Sequence, residues 1–240
     1  MEGASLEQRP GFRRRFRLTP GSVSVCCQVE DDYHCMSVIV RHDGATARAV
    51  EATMHRAPWT TCPGAERQLQ ETFTGVALAD FPARGGKRAN CTHLYDLALL
   101  AASHAHDREP LVYDILVSDP VDGVRQAALR RDGETLLGWA EAGMEIVRPP
   151  ALAGRKLLDL QSWIGELEPP LQEAARLLRW GNLLANGRSI PLEQQSDATR
   201  MPPNCYTFQP QRREQARRVG EIRDFSRQGP EPLADIPPSV

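Results

Sequence analysis

Along the first quarter of the chain, apolar and polar residues alternate. In "SVSVCCQV" (22–29), Val23, Val25, Cys27 and Val29 fall on every second position, which predicts a strand with one buried face. "HCMSVIVR" (34–41) and "TARAVEATM" (46–54) repeat the pattern. "EDDY" supplies a polar turn between the first two, and Asp43-Gly44 a hairpin signal before the third. "RPGFRRRFRL" (9–18) reads as a further strand whose alternating arginines form a solvated face, with a polyanion site as the lesser alternative. Residues 12–54 therefore predict an antiparallel meander, with residues 1–10 as a loose lead-in.

The period then lengthens. "CPGAERQLQETFTG" (62–75) predicts a helix, with proline in its first turn and Gly75 as its stop. "VALADFPARGGKR" (76–88) reads as a loop. "NCTHLYDLALLAASHA" (90–105) predicts a second helix, capped by Asn90 or Thr92, with Leu94, Leu97, Ala98 and Ala101 as its buried stripe. Strands return at 111–119, 123–131 and 134–143, the last two joined by Asp132-Gly133. Helices follow at 157–167 and 169–185, separated by Pro169-Pro170. Residues 197–211 predict a proline-punctuated loop, 212–225 a polar helix, and the proline-rich end a loose tail. Sheet precedes helices twice, so the expected class is α+β. A meander with helices on one face (1–107) and a β-hairpin and helical half (108–240) are expected to form one compact unit.

Composition narrows the function. The 240 residues carry 29 basic and 31 acidic side chains, a formal net charge of −2. That balance gives no pull toward nucleic acid or an anionic membrane. No apolar run approaches the roughly 18 residues of a membrane span, and the start lacks the apolar core of a signal peptide. The six cysteines, two of them adjacent (Cys26, Cys27), do not resemble a secreted disulfide framework. The expected compartment is the cytoplasm, and the expected partner a small-molecule substrate, with a homodimer left open.

Candidate chemistry gathers at the helix starts. Cys91 heads the second helix, where unpaired N–H groups and the helix dipole favour a thiolate. Cys62 is placed alike before the first helix. His93 follows Cys91 by two residues, roughly 200° around a regular helix, so both reach one pocket only if the first turn is irregular. His34 opens the second strand. Pairing around "EDDY" sets it opposite Val29, on the face of Cys27, Met36 and Val38, as a packed core histidine or as a ligand or general base. Cys205, Tyr206 and Phe208 form an apolar stretch that could fold over the sheet, with Tyr206 as a phenolic acid or hydrogen-bond donor. For each residue, packing alone is the competing explanation. His55, in the connection toward Cys62, is a surface residue by default. No zinc signature, nucleotide loop or nucleophile elbow occurs.

The stretch "HCMSVIVRHDGATARAVEATMHRAPWTTC" and the later "NCTHLYDLA" resemble a bacterial family described as domain-of-unknown-function family 2889. The shared features fall on His34 and Met36, Pro58 and Cys62, and Cys91, Thr92, His93 and Leu94. Asn90 stands where the family has glycine. More distantly, residues 34–105 are similar to iron–sulfur scaffold proteins of the IscU/NifU type, with Cys91 at the place of a metal-binding cysteine. The scaffold's first cysteine motif is absent, so the resemblance implies the fold and not cluster binding. The expected function is a small cofactor-independent enzyme of the lyase or isomerase type. It would use His34, Cys62, Cys91, His93 and Tyr206 on a small apolar or aromatic metabolite. That substrate class rests on an apolar pocket walled by the Trp- and Leu-rich second half and on the resembled family's association with metabolically versatile soil bacteria. The alternative is a zinc or iron–sulfur carrier that uses His34, Cys62, Cys91 and His93 as ligands.

Overall fold

A computed structural model describes residues 5–227 and 229–238. The first four residues of the expected lead-in and the last two of the expected tail lie outside them. The fold is α+β, antiparallel strands with helices packed against them. The chain divides into two units. A site unit comprises Phe16–Leu111, Leu192–Arg223 and the residues from Pro232 onward. A hairpin unit comprises the residues up to Arg15, Val112–Pro191 and Asp224–Glu231. Strand β1, Gly11–Pro20, divides between them.

In the site unit the strand order is β4-β3-β2-β1, with β2 at Ser24–Asp31, β3 at Cys35–His42 and β4 at Ala47–Arg56. Alternation works as expected on β3, where Met36, Val38 and Val40 are buried against the helices and Ser37 and Ile39 are not. Helix α1, Ala65–Phe73, packs on β4, and α2, Thr92–Ser103, packs on β2 and β3. The expected α2 stripe, Leu94, Leu97, Ala98 and Ala101, is fully buried. Each leucine so placed contributes about 1.5–3 kcal/mol.

Strand β2 departs from the half-buried reading, because both of its faces are covered. Cys26, Gln28 and Glu30 are as buried as Val25, Cys27 and Val29, while Val23 lies before the strand and is exposed. The second cover is the chain end expected to be loose. Leu233 is buried and its N–H donates to Glu30 Oε2 at 2.7 Å, and Gln28 Nε2 donates to the Pro237 carbonyl at 2.9 Å. The 212–225 helix is also corrected. Only Pro210–Arg213 (α5) is helical. Beyond it the backbone bonds to the loop after β4, with Thr60 N–H donating to Arg217 O at 3.0 Å and Val219 N–H to Pro58 O at 2.9 Å. The stretch lacks an apolar stripe, and Val219 and Ile222 stay exposed, so the loop's backbone partners prevail over helix formation.

The hairpin unit has the order β1-β5-β6-β7-β8: Leu111–Ser118, Val124–Arg131, Glu134–Ala142 and Glu145–Arg148 follow β1. Strand β8 was not foreseen. Asp132 and Gly133 have φ of 50° and 87°, the positive pair of the tight hairpin turn their sequence predicts. Helix α3, Gln161–Gly165, contacts α4, Pro169–Ala185, which lies on β6 and β7. There Trp139 Nε1–H donates to Asn182 Oδ1 at 2.7 Å. The solvated arginine face expected on β1 is corrected as well. Arg13 and Arg14 are buried. The Arg13 guanidinium donates to the carbonyls of Leu6, Glu7 and Arg9, and Arg15 binds Asp114 at 2.6 Å. Arg13 is tolerated inside because its guanidinium meets backbone carbonyls there. Among the described residues no helix is long and apolar enough to cross a membrane.

Candidate functional site

The site is built on the turn between β2 and β3. Val29 pairs with Met36 and Glu30 with Cys35, so His34 lies beyond the ladder, beside Asp31 and not opposite Val29. The slip is two residues, which keeps His34 on the expected face. Asp31 N–H donates to His34 O at 2.8 Å. The fully buried Asp31 carboxylate turns back on the same residues. Its Oδ1 accepts the N–H of Tyr33 at 2.8 Å and of His34 at 2.9 Å, an Asx-type turn, and lies 2.9 Å from His34 Nδ1. With an ionised carboxylate as acceptor, the proton belongs on Nδ1 and the lone pair on Nε2.

Arg56 braces this turn. Its guanidinium donates to the carbonyls of Asp31 at 2.6 Å and Asp32 at 2.8 Å and pairs with buried Glu30 at 3.1 Å. Arg223 N–H adds a bond to Asp32 O at 2.9 Å. The first turn of α2 then delivers His93, whose ring stacks on His34 with centroids 3.9 Å apart and planes at 29°. One donor atom each from Asp31, His34 and His93 lies within 4.8 Å of the others.

No protein-family model, curated protein or solved structure matches this chain. The reading of the site therefore rests on its own geometry.

A second group gathers the thiols. Cys91 is the N-cap of α2, and Cys62 opens a 3-10 turn, Cys62–Gly64, just before α1. The 197–211 loop folds onto both. Tyr206 N–H donates to Asn90 O at 2.9 Å, and Thr207 Oγ1 lies 3.3 Å from Cys62 Sγ. Tyr206 packs against Gly64, where an added Cβ would come within 2.6 Å of its Oη, and Arg212 covers its ring at 3.7 Å.

At Cys91 burial opposes the expected thiolate. Burial pushes the Cys91 thiol up to about 12, and the neighbouring Cys62 and Cys205 add to the rise. The backbone N–H groups of Leu94 and His93 pull it down and are outweighed. Burial also raises Cys62, against the Thr207 hydroxyl, and Cys205. Near neutral pH these groups are thiols, poor nucleophiles in the resting protein. The helix dipole reaches the sulfur, but desolvation of the anion is the larger effect.

The structure thus joins His34 to His93, and Cys62 and Cys91 to Cys205 and Thr207. Tyr206 belongs with the second group. His55 lies on the open face of β4, exposed and 3.3 Å from Ser37 Oγ. Asp31 was missed. Its signal was present in "EDDYHC": a carboxylate in a polar turn, three residues before the histidine.

Proposed function

We propose that the protein is a small cytoplasmic enzyme of the lyase or isomerase type, working by proton transfer on a small apolar or aromatic metabolite. The observation that carries this reading is the Asp31 Oδ1–His34 Nδ1 contact of 2.9 Å beneath a stacked second imidazole. Asp31 holds the His34 ring and stabilises the imidazolium formed when Nε2 takes a proton from substrate. His93, against the other face of that ring, is the second proton carrier. It returns a proton to a different carbon in an isomerisation or protonates a leaving group in an elimination. The side chain of His34 keeps 9% of its surface open, its route to solvent or substrate. The thiols shape and seal the helix starts and take no covalent step. The substrate class rests on the apolar composition of the second half and on the resemblance of residues 34–105.

Proton transfer can be tested before the substrate is known. Aromatic and alicyclic ketones and hydroxy acids are incubated with the protein in D2O, and NMR follows deuterium entering acidic C–H positions. Exchange by the wild type that His34→Gln abolishes and Cys91→Ser retains is expected. Exchange lost with Cys91→Ser and kept with His34→Gln would overturn the assignment.

A further inference from the structure

We propose that Asp31, His34 and His93 form a binding site for a divalent first-row transition-metal ion. Their donor atoms, one from each residue, lie within 4.8 Å of one another, and all three side chains are buried. Donors bound to one ion at about 2.0–2.2 Å stand roughly 3–3.5 Å apart. Asp31 Oδ1 and His34 Nδ1, at 2.9 Å, are already near that separation; the His93 ring, stacked on His34 with planes at 29°, has to turn out of that stack to aim a nitrogen at the same ion. One carboxylate oxygen and two imidazole nitrogens suit zinc, iron(II) or cobalt(II), whereas magnesium and calcium favour oxygen donors throughout.

Two of the three donors, those of Asp31 and His34, are held in place before any ion binds. Asp31 and His34 share one turn, Arg56 fixes the carbonyls of that turn, and His93 comes from the first turn of a helix packed on the same strands. Such outer bonds hold ligands in position. Three protein donors leave at least one coordination position for water or substrate, the composition of a catalytic and not a structural site. The cysteines fall outside the donor group, so among the described residues the ligand set is Asp31, His34 and His93 in place of His34, Cys62, Cys91 and His93. The inference goes beyond the proton-transfer reading and does not rest on it: an ion on His34 Nδ1 would replace the proton shared with Asp31 and leave Nε2 without the lone pair a general base needs.

The test uses the full chain without a histidine tag, stripped with chelator and titrated with Zn2+ by calorimetry and with Co2+ by visible absorption. One equivalent per chain is expected. His93→Gln and Asp31→Asn should each weaken binding by at least roughly 100-fold, more than the loss of an outer partner costs, while Cys62→Ser and Cys91→Ser should leave it unchanged. The Co2+ spectrum should lack a sulfur-to-metal charge-transfer band, a readout on the wild type that stands even if a variant fails to fold. Absence of saturable uptake, uptake undiminished in both ligand variants, or a thiolate band would overturn the inference. Deuterium exchange by stripped protein that takes up no ion would sink the metal site and leave the enzyme reading. Uptake without exchange would do the reverse.

Discussion

Replacing Asp31 separates the two jobs its carboxylate performs. The side chain has no solvent exposure, and its Oδ1 accepts backbone N–H groups from Tyr33 and His34 as well as meeting His34 Nδ1. Asp31→Ala strips the acceptor from two buried backbone donors. Each orphaned donor costs about 1–3 kcal/mol, so the loss should be roughly 2–6 kcal/mol, a large part of the 5–15 kcal/mol typical of a folded domain. Asp31→Asn keeps an oxygen in place for the turn and gives up only the charge. Charge-assisted bonds are about twice as strong as neutral ones, so its cost should stay near 1–2 kcal/mol. Urea unfolding, followed by far-UV circular dichroism and tryptophan fluorescence, measures both. Nitrogen-15 shifts of the His34 ring report its tautomer, which should be Nδ1–H in the wild type and lose that preference in Asp31→Ala. Asp31→Ala within about 0.5 kcal/mol of wild type, or Asp31→Asn as damaging as Asp31→Ala, would show that the carboxylate does not organise the turn.

Two further outcomes follow from buried titratable groups. Because Cys91 is pushed up to about 12 by burial, native protein at pH 8 should alkylate at the partly exposed Cys205 first and at Cys91 only on unfolding. Rapid Cys91 labelling at pH 6, read by peptide mass spectrometry, would restore the thiolate. His42 is held below its usual range by burial first and by His106, whose ring lies 6.1 Å away, with Asp43 opposing. The unfolded chain therefore binds this proton better than the folded one. The contribution of His42 to stability is complete above about pH 6.5 and is lost as pH falls through the lowered folded value. The urea midpoint should drop between pH 7.5 and 5.5, and less so in His42→Gln; equal drops would refute the assignment.

What the sequence determined by itself is what neighbours along the chain decide. The period of two in β3, the apolar stripe of α2, the Asp132-Gly133 turn and the Pro169 start of α4 were all legible, because each depends on residues within a turn or a pleat of one another. His34 and His93 were legible as chemistry-bearing types at element ends, but not as a stacked pair, and Asp31 emerged only when the two-residue slip of β3 on β2 placed it beside His34. Tertiary structure alone decided the rest. It brought Leu233 and Pro237 over the second face of β2, gave Arg13 its ring of carbonyls, and drew residues 214–223 off a helix to pair with the loop after β4. It also set the direction in which the thiols are shifted. The sequence placed Cys91 at a helix N-terminus, where the local field favours the anion, but the 197–211 loop and the sheet around it exclude the water a thiolate needs. Periodicity reports which face of an element is apolar. It does not report what arrives from elsewhere in the chain to cover the other face, and desolvation by that distant cover is what decides the charge of a buried group.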